Sequence, residues 1–202
     1  MEKRIAQVSS ILFHPYFLTI YGLIILYNSG LYISFLPPKL KRWILLIVIL
    51  NTALIPLSFT PFYLKIGLIK NLGMHDSKER MVPLLINTIL FYITYYILTR
   101  FRIPSPVTTY ILLGAIVSFA ALIITWKWKI SLHMMGIGAL TGAFLAIAFR
   151  YGTNITGYIV FFILVSGILG FSRLRNDDHD GTQVGVGYVT GFMIGASIMY
   201  FF

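Results

Sequence analysis

The chain is expected to fold as an all-α protein, a polytopic transmembrane helix bundle of six or seven spans, and three observations predict it. Only 16 Lys and Arg and 6 Asp and Glu occur among 202 residues, while 58% are hydrophobic. The charges are clustered, leaving charge-free runs at 5–38, 43–64, 81–99, 103–126, 130–149, 151–172 and 181–202. Each run is long enough to cross a hydrocarbon core, which takes about 20 apolar residues. A soluble globular enzyme is excluded by that pattern, and a disulfide scaffold by the absence of Cys.

The elements follow in order. The first run, Ile11–Leu36, is overlong and contains Pro15, Asn28 and Gly30, so it reads as an interfacial stretch plus one span. MEKRIAQVSS ahead of it resembles the start of a signal peptide, but no small-residue cleavage site follows, so it is read as retained. Trp43–Phe62 is the second run, with Pro56 expected to kink it. Then come Met81–Leu98, Val107–Trp126, Ile130–Phe149, Ile155–Phe171 and Gln183–Phe202. Residues 1–202 form a single integral membrane domain, without a linker or low-complexity tract. Tyr63, Tyr92, Tyr95, Tyr96 and Tyr110, with Trp43, Trp126 and Trp128, read as an interfacial aromatic belt.

Crossing seven times sorts the polar residues unevenly. One side receives the N-terminus, the 63–80 loop, the Lys127/Lys129 turn and the 172–182 loop, and with them His75, His133, His179 and all six acids, Glu2, Asp76, Glu79, Asp177, Asp178 and Asp180. The other receives Lys39, Lys41, Arg42, Arg100, Arg102 and Arg150 alone, which read as headgroup anchors. The basic residues divide ten to six, or five to six when Lys78, Arg80, Lys129, Arg173 and Arg175 are assigned to a site. The positive-inside rule therefore leaves the orientation open. The net charge of +10 lies in short loops instead of along one face, which argues against nucleic acid as a partner.

Gly138 and Gly142 form one G-x-x-x-G, and Gly187, Gly191 and Gly195 form two more in series. Such spacing puts glycines on one helical face and lets backbones approach, so the fifth and last runs should be neighbours. Both open near a histidine. Lys129-Ile130-Ser131-Leu132-His133 begins one, and Ser172-Arg173-Leu174-Arg175-Asn176-Asp177-Asp178-His179 precedes the other. Paired helix N-termini favour anions, guanidinium forks suit phosphate oxygens, and histidines serve as nucleophile and proton donor. A single His at a span end is more often a satisfied interfacial residue; two on one side, each with Ser and cations, point to a phosphate site.

Ser172-Arg173, five residues, then His179 resembles the third signature, S-R-x5-H-x3-D, of the type-2 phosphatidic-acid phosphatase superfamily. Ile130-Ser131-Leu132-His133 is similar to its second, P-S-G-H, with Ile130 and Leu132 in place of Pro and Gly. Gln183 stands where the family has its final Asp, and the nearest counterpart of the first signature, K-x6-R-P, is Lys78-Glu79-Arg80-Met81-Val82-Pro83. The resemblance, to a divergent bacterial branch, implies a metal-independent, cofactor-free lipid phosphatase in a bacterial cytoplasmic membrane, with a lipid phosphate as substrate and no protein partner. His179 would attack phosphorus, Arg173 and Arg80 would hold the equatorial oxygens, Ser131 would add a hydrogen bond and His133 would protonate the leaving oxygen. Lys78, Lys129 and Arg175 would make further phosphate contacts. Gln183, one helical turn after His179, can hold its tautomer, and Asp178 or Asp180 can supply the missing charge.

Three other readings compete. Asn176-Asp177-Asp178-His179-Asp180 fits the start of the N-D-x-x-D motif of magnesium-dependent membrane prenyltransferases, though no second Asp-rich loop follows it. His179, Asp178 and Asp180 with His133 or His75 have metal-ligand chemistry without recognised spacing. A bundle with an anion-lined mouth can also bind or carry a phospholipid or polyprenyl phosphate without catalysis. A carrier should place ionisable groups near a span's midpoint, whereas here they lie at helix ends.

Overall fold

The computed structural model describes residues 2–71, 73–74, 76–176 and 178–202, with side chains from Ala6 onward. His75, Asp177 and the side chain of Glu2, named above, lie outside that set. The described chain is helical, without a strand. In order run α1 (Glu2–Leu12), α2 (Pro15–Leu26), a short 3-10 turn (Tyr32–Phe35), α3 (Pro38–Lys65), α4 (Ser77–Arg100), α5 (Ser105–Lys127), α6 (Leu132–Tyr151), α7 (Thr156–Arg175) and α8 (Gly181–Phe201). The helices α3 to α8 are each long and apolar enough to cross a bilayer, and α1 with α2 makes a seventh when the bent pair counts as one crossing.

The overlong first run resolves into two helices bent by 59° at a break before Pro15. Pro15 lacks an N–H and clashes with a preceding helical turn, so the helix must restart there. His14 is the N-cap of α2, its Nδ1 accepting the N–H of Tyr16 at 3.4 Å. Tyr21 donates its hydroxyl to the Leu12 carbonyl across the corner at 3.1 Å. Thus α1 leaves the line of α2 and packs across the end of α7.

Pro56 is accommodated without breaking the helix. Ahead of it α3 widens into a π-helical turn, Leu50–Leu54, in which Ile55 donates to the Leu50 carbonyl. An added residue in the turn accommodates a missing donor within a continuous helix. Helix α4 starts earlier than its apolar run because Asp76 caps it, accepting the Lys78 N–H at 3.0 Å, with Glu79 at the capping-box position. That brings Lys78, Glu79 and Arg80 into its first turn.

Helix α6 is the most enclosed span, with 67% of its apolar window buried. As the glycine spacing predicts, it packs against α8. A Cβ at Gly191 or Gly195 would land on the Met135 or Ala139 carbonyl, and one at Gly138 or Gly142 on those of Tyr188 or Phe192. The two backbones touch along two sets of glycines, and a methyl group on either side would force them apart. Helices α4 and α5 pair beside them. Phe149, Leu164, Val189 and Met193 are exposed on the outer faces, where lipid covers them. Trp43 and Trp126 are exposed as belt residues should be, but Tyr63 and Tyr110 are buried. Tyr110 turns inward because its hydroxyl finds the Thr19 carbonyl of α2 at 3.1 Å.

Candidate functional site

The start of α6, the end of α7 and the start of α8 meet at one end of the bundle, and α1 and the first turn of α4 close over them. A cavity of about 650 Å³ opens there. Its mouth is lined by His14, Arg80, His133, Arg173, Asp178 and His179, and its interior by Leu84, Phe91, Leu113, Val117 and Leu140. The lining runs down α4 from Arg80 to Phe91, about 16 Å at the α-helical rise. That is close to half of the roughly 30 Å hydrocarbon core. Charge at the mouth and apolar walls below match a headgroup with a chain attached.

His179 is buried in the α7–α8 loop, and its Nδ1 lies 2.7 Å from Gln183 Oε1. An amide oxygen only accepts, so Nδ1 carries the proton and Nε2 keeps its lone pair. Burial pushes the His179 pKa down to about 4; the Gln183 hydrogen bond opposes that shift, and the charges of Arg80, Lys129 and Arg173 add to it. The ring is therefore neutral around pH 7. Asp180 caps α8 by accepting the Gln183 N–H at 2.8 Å, which locks the turn on which Gln183 rides.

Arg173, near the end of α7, is buried and engaged on three sides. Its guanidinium pairs with Asp178 at 2.9 Å, donates to Ser10 Oγ at 2.5 Å and approaches His133 Nδ1 at 3.4 Å. Its Nε is buried without a partner among the described residues. Arg80 crosses from α4, donating from Nε to the Met74 carbonyl at 2.8 Å and from Nη1 to that of Ile130 at 3.3 Å. Asp178 is the acidic group lining the cavity among the described residues, and its charge acts on Arg173, Arg80 and Lys129. Asp178 and Asp180 are thus occupied by Arg173 and by the α8 cap, and Gln183, instead of an acid, is the partner of His179.

His133 begins α6 with both nitrogens engaged. Nε2 faces the Ser10 carbonyl at 3.0 Å and Nδ1 faces Arg173. A carbonyl needs a donor and a guanidinium needs an acceptor, so the ring is neutral with its proton on Nε2. The leaving-group role implied for it requires one of these bonds to be given up. Ser131 lies under the α6–α8 crossing: its N–H faces the Gln183 carbonyl at 3.4 Å, and its buried Oγ has no partner among the described residues. It is not among the residues lining the cavity.

Of the other cations, Lys129 is half-buried, and burial and the Arg80 charge lower its pKa against the pull of Asp178. Lys78 and Arg175 are exposed, and none of Lys78, Lys129 and Arg175 is among the residues lining the cavity. Among the described residues no three His, Asp or Glu side chains converge as a metal would need.

Sequence reasoning missed Ser10 and His14. His14 packs edge-on against His133, ring centroids 5.3 Å apart, and lines the cavity. The signal was a His-Pro pair at the break of an overlong apolar run. Compared with protein-family models, curated proteins and solved structures, the chain matches none.

Proposed function

We propose that this protein is an integral membrane lipid phosphatase, a divergent bacterial relative of the type-2 phosphatidic-acid phosphatases, acting in the cytoplasmic membrane through a phosphohistidine. One observation carries the reading: a neutral histidine whose Gln183 hydrogen bond puts the proton on Nδ1 and keeps the lone pair on Nε2, beside two buried arginines, at the charged mouth of an apolar cavity.

The phosphate enters between Arg80 and Arg173, where it takes the place of the Asp178 carboxylate. His179 Nε2 attacks phosphorus, the N–P bond forms and the bond to the lipid oxygen breaks. Gln183 Oε1 holds the Nδ1–H as the ring gains positive charge. Water then cleaves the N–P bond and releases phosphate. Charge spreads over the equatorial oxygens in the transition state, so fixed guanidinium donors supply most of the stabilisation. The apolar cavity below holds the lipid's chain while the phosphate sits at headgroup level.

The test is phosphate release by detergent-purified protein, in excess chelator, from phosphatidic acid, phosphatidylglycerol phosphate, a polyprenyl diphosphate and a lipid A phosphate. The expected result is release from at least one of them that disappears in His179→Ala. Release from none, or release only when magnesium is restored, contradicts the proposal.

A further inference from the structure

The cavity holds a third histidine that the mechanism above does not use. His133, the proton donor that the family resemblance implies, is badly placed to carry a second proton. Its Nε2–H is held by the Ser10 carbonyl, and a proton on Nδ1 would point at the Arg173 guanidinium 3.4 Å away. Like charges at that distance oppose protonation. A departing alkoxide nevertheless needs a proton, and a positioned acid supplies it best from a ring already facing the leaving oxygen.

His14 meets that need. Its Nδ1 accepts the Tyr16 N–H at α2's start, so Nε2 is the nitrogen carrying the proton in the neutral ring. Nε2 has no hydrogen-bond partner among the described residues, and the side chain lines the cavity mouth beside His133. The Tyr16 bond is long, at 3.4 Å, so taking a second proton at Nδ1 sacrifices little. Burial, and after it the Arg173 charge, hold the ring's pKa down to about 4, and a dianionic phosphate between the arginines offsets the Arg173 charge and so favours the cation. The 59° bend before Pro15 is what turns this residue inward from the N-terminal corner.

Resting on the phosphatase reading, we infer that His14 is a further catalytic residue, the general acid that hands its Nε2 proton to the departing lipid oxygen, while His133 holds Arg173 in place. As the N–P bond to His179 forms and the P–O bond breaks, the bonding pair goes to the lipid oxygen, which takes the proton and leaves as an alcohol. His14 is then neutral with a bare Nε2. It takes a proton from the water that attacks the phosphohistidine, which restores the cation as phosphate departs.

The experiment varies the leaving group. Dodecyl phosphate expels an alkoxide that must be protonated, whereas 4-nitrophenyl phosphate expels a phenolate that needs no proton. His14→Asn removes Nε2–H and keeps an acceptor suited to the α2 cap. The expected result is a fall of about 100-fold in kcat/KM, which reports only the step that expels the leaving group, for dodecyl phosphate, within the usual range for general-acid catalysis, with less than about 3-fold in kcat/KM for 4-nitrophenyl phosphate. His133→Asn should instead lower both together. Equal losses on both compounds in His14→Asn, no loss on either, or wild-type release from diphosphates without release from dodecyl phosphate would overturn the assignment. His14→Gln serves if the first variant does not fold, and failure of both to give monodisperse protein would make His14 structural. A wild type inactive on every phosphate would sink the phosphatase reading itself, an outcome distinct from an active wild type with an indifferent His14 variant.

Discussion

His179 Nδ1 and Gln183 Oε1 lie 2.7 Å apart across one turn at the start of α8, which leaves the lone pair on Nε2, the atom proposed to attack phosphorus. With the His179 pKa depressed by burial to about 4, the ring stays neutral as pH falls until it takes up a proton near that value. The acid limb of kcat/KM that belongs to His179 should therefore lie near pH 4. Gln183→Asp sets a carboxylate against Nδ1, favours the cationic ring and should move that limb upward by about 1–3 pH units, with an equal or higher plateau. Gln183→Leu removes the one interaction that holds the proton on Nδ1, and kcat should fall about 10- to 100-fold. A pH–rate profile of the three proteins checks both, and an unmoved limb in Gln183→Asp would separate Gln183 from the nucleophile.

Asp178 pairs with Arg173 at 2.9 Å, where the proposed mechanism puts the phosphate. Asp178→Asn removes a competing negative charge and leaves the guanidinium unpaired. Orthovanadate should inhibit this variant about 10-fold more tightly, since the tenfold corresponds to roughly 1.4 kcal/mol of relieved competition. The variant's Tm should fall, because breaking a largely buried pair strands a charge. Weaker vanadate inhibition would mean that Asp178 positions Arg173 instead of competing for it.

The α6–α8 glycine contact sets the register between the His133 turn and the His179 loop. Gly191→Val would drive side-chain atoms into the Met135 carbonyl, whereas an added Cβ at the exposed Gly185 meets nothing within 4 Å. The first should cost at least about 2 kcal/mol and most of the activity. Gly185→Ala should be neutral or slightly stabilising. Thermal unfolding in detergent with parallel activity assays compares them.

Val117 lines the apolar part of the cavity from α5. Val117→Phe narrows the passage below the charged mouth, so it should raise KM for long-chain lipid phosphates by about 10-fold or more and leave short-chain phosphates nearly unchanged. An equal effect on both would show that the chain does not enter there.

Much of this arrangement was legible because burial in a membrane protein is written in uninterrupted apolar runs. The spans, the α6–α8 pairing through Gly138, Gly142, Gly187, Gly191 and Gly195, and the meeting of Arg80, His133, Arg173 and His179 at one end all follow from run lengths, parity of crossings and glycine spacing. Ser10 and His14 were not legible. Their contacts to Arg173 and His133 span more than a hundred residues and depend on the bend at Pro15, which a hydrophobicity pattern leaves undefined. The Arg173–Asp178 pair was hidden for a related reason: the chain leaves α7 between them, so helical spacing says nothing about their approach. Tyr110 read as a belt residue because its position near a span end does not reveal the α2 carbonyls it meets.

The most direct measurement is to quench the protein at alkaline pH during turnover of a labelled lipid phosphate, digest it, and locate the acid-labile phosphoryl group by mass spectrometry. Phosphate is expected on His179 Nε2, absent from His179→Ala and formed in excess chelator. Turnover with no phosphorylated residue, or with the phosphoryl group on His133 or His14, would contradict it.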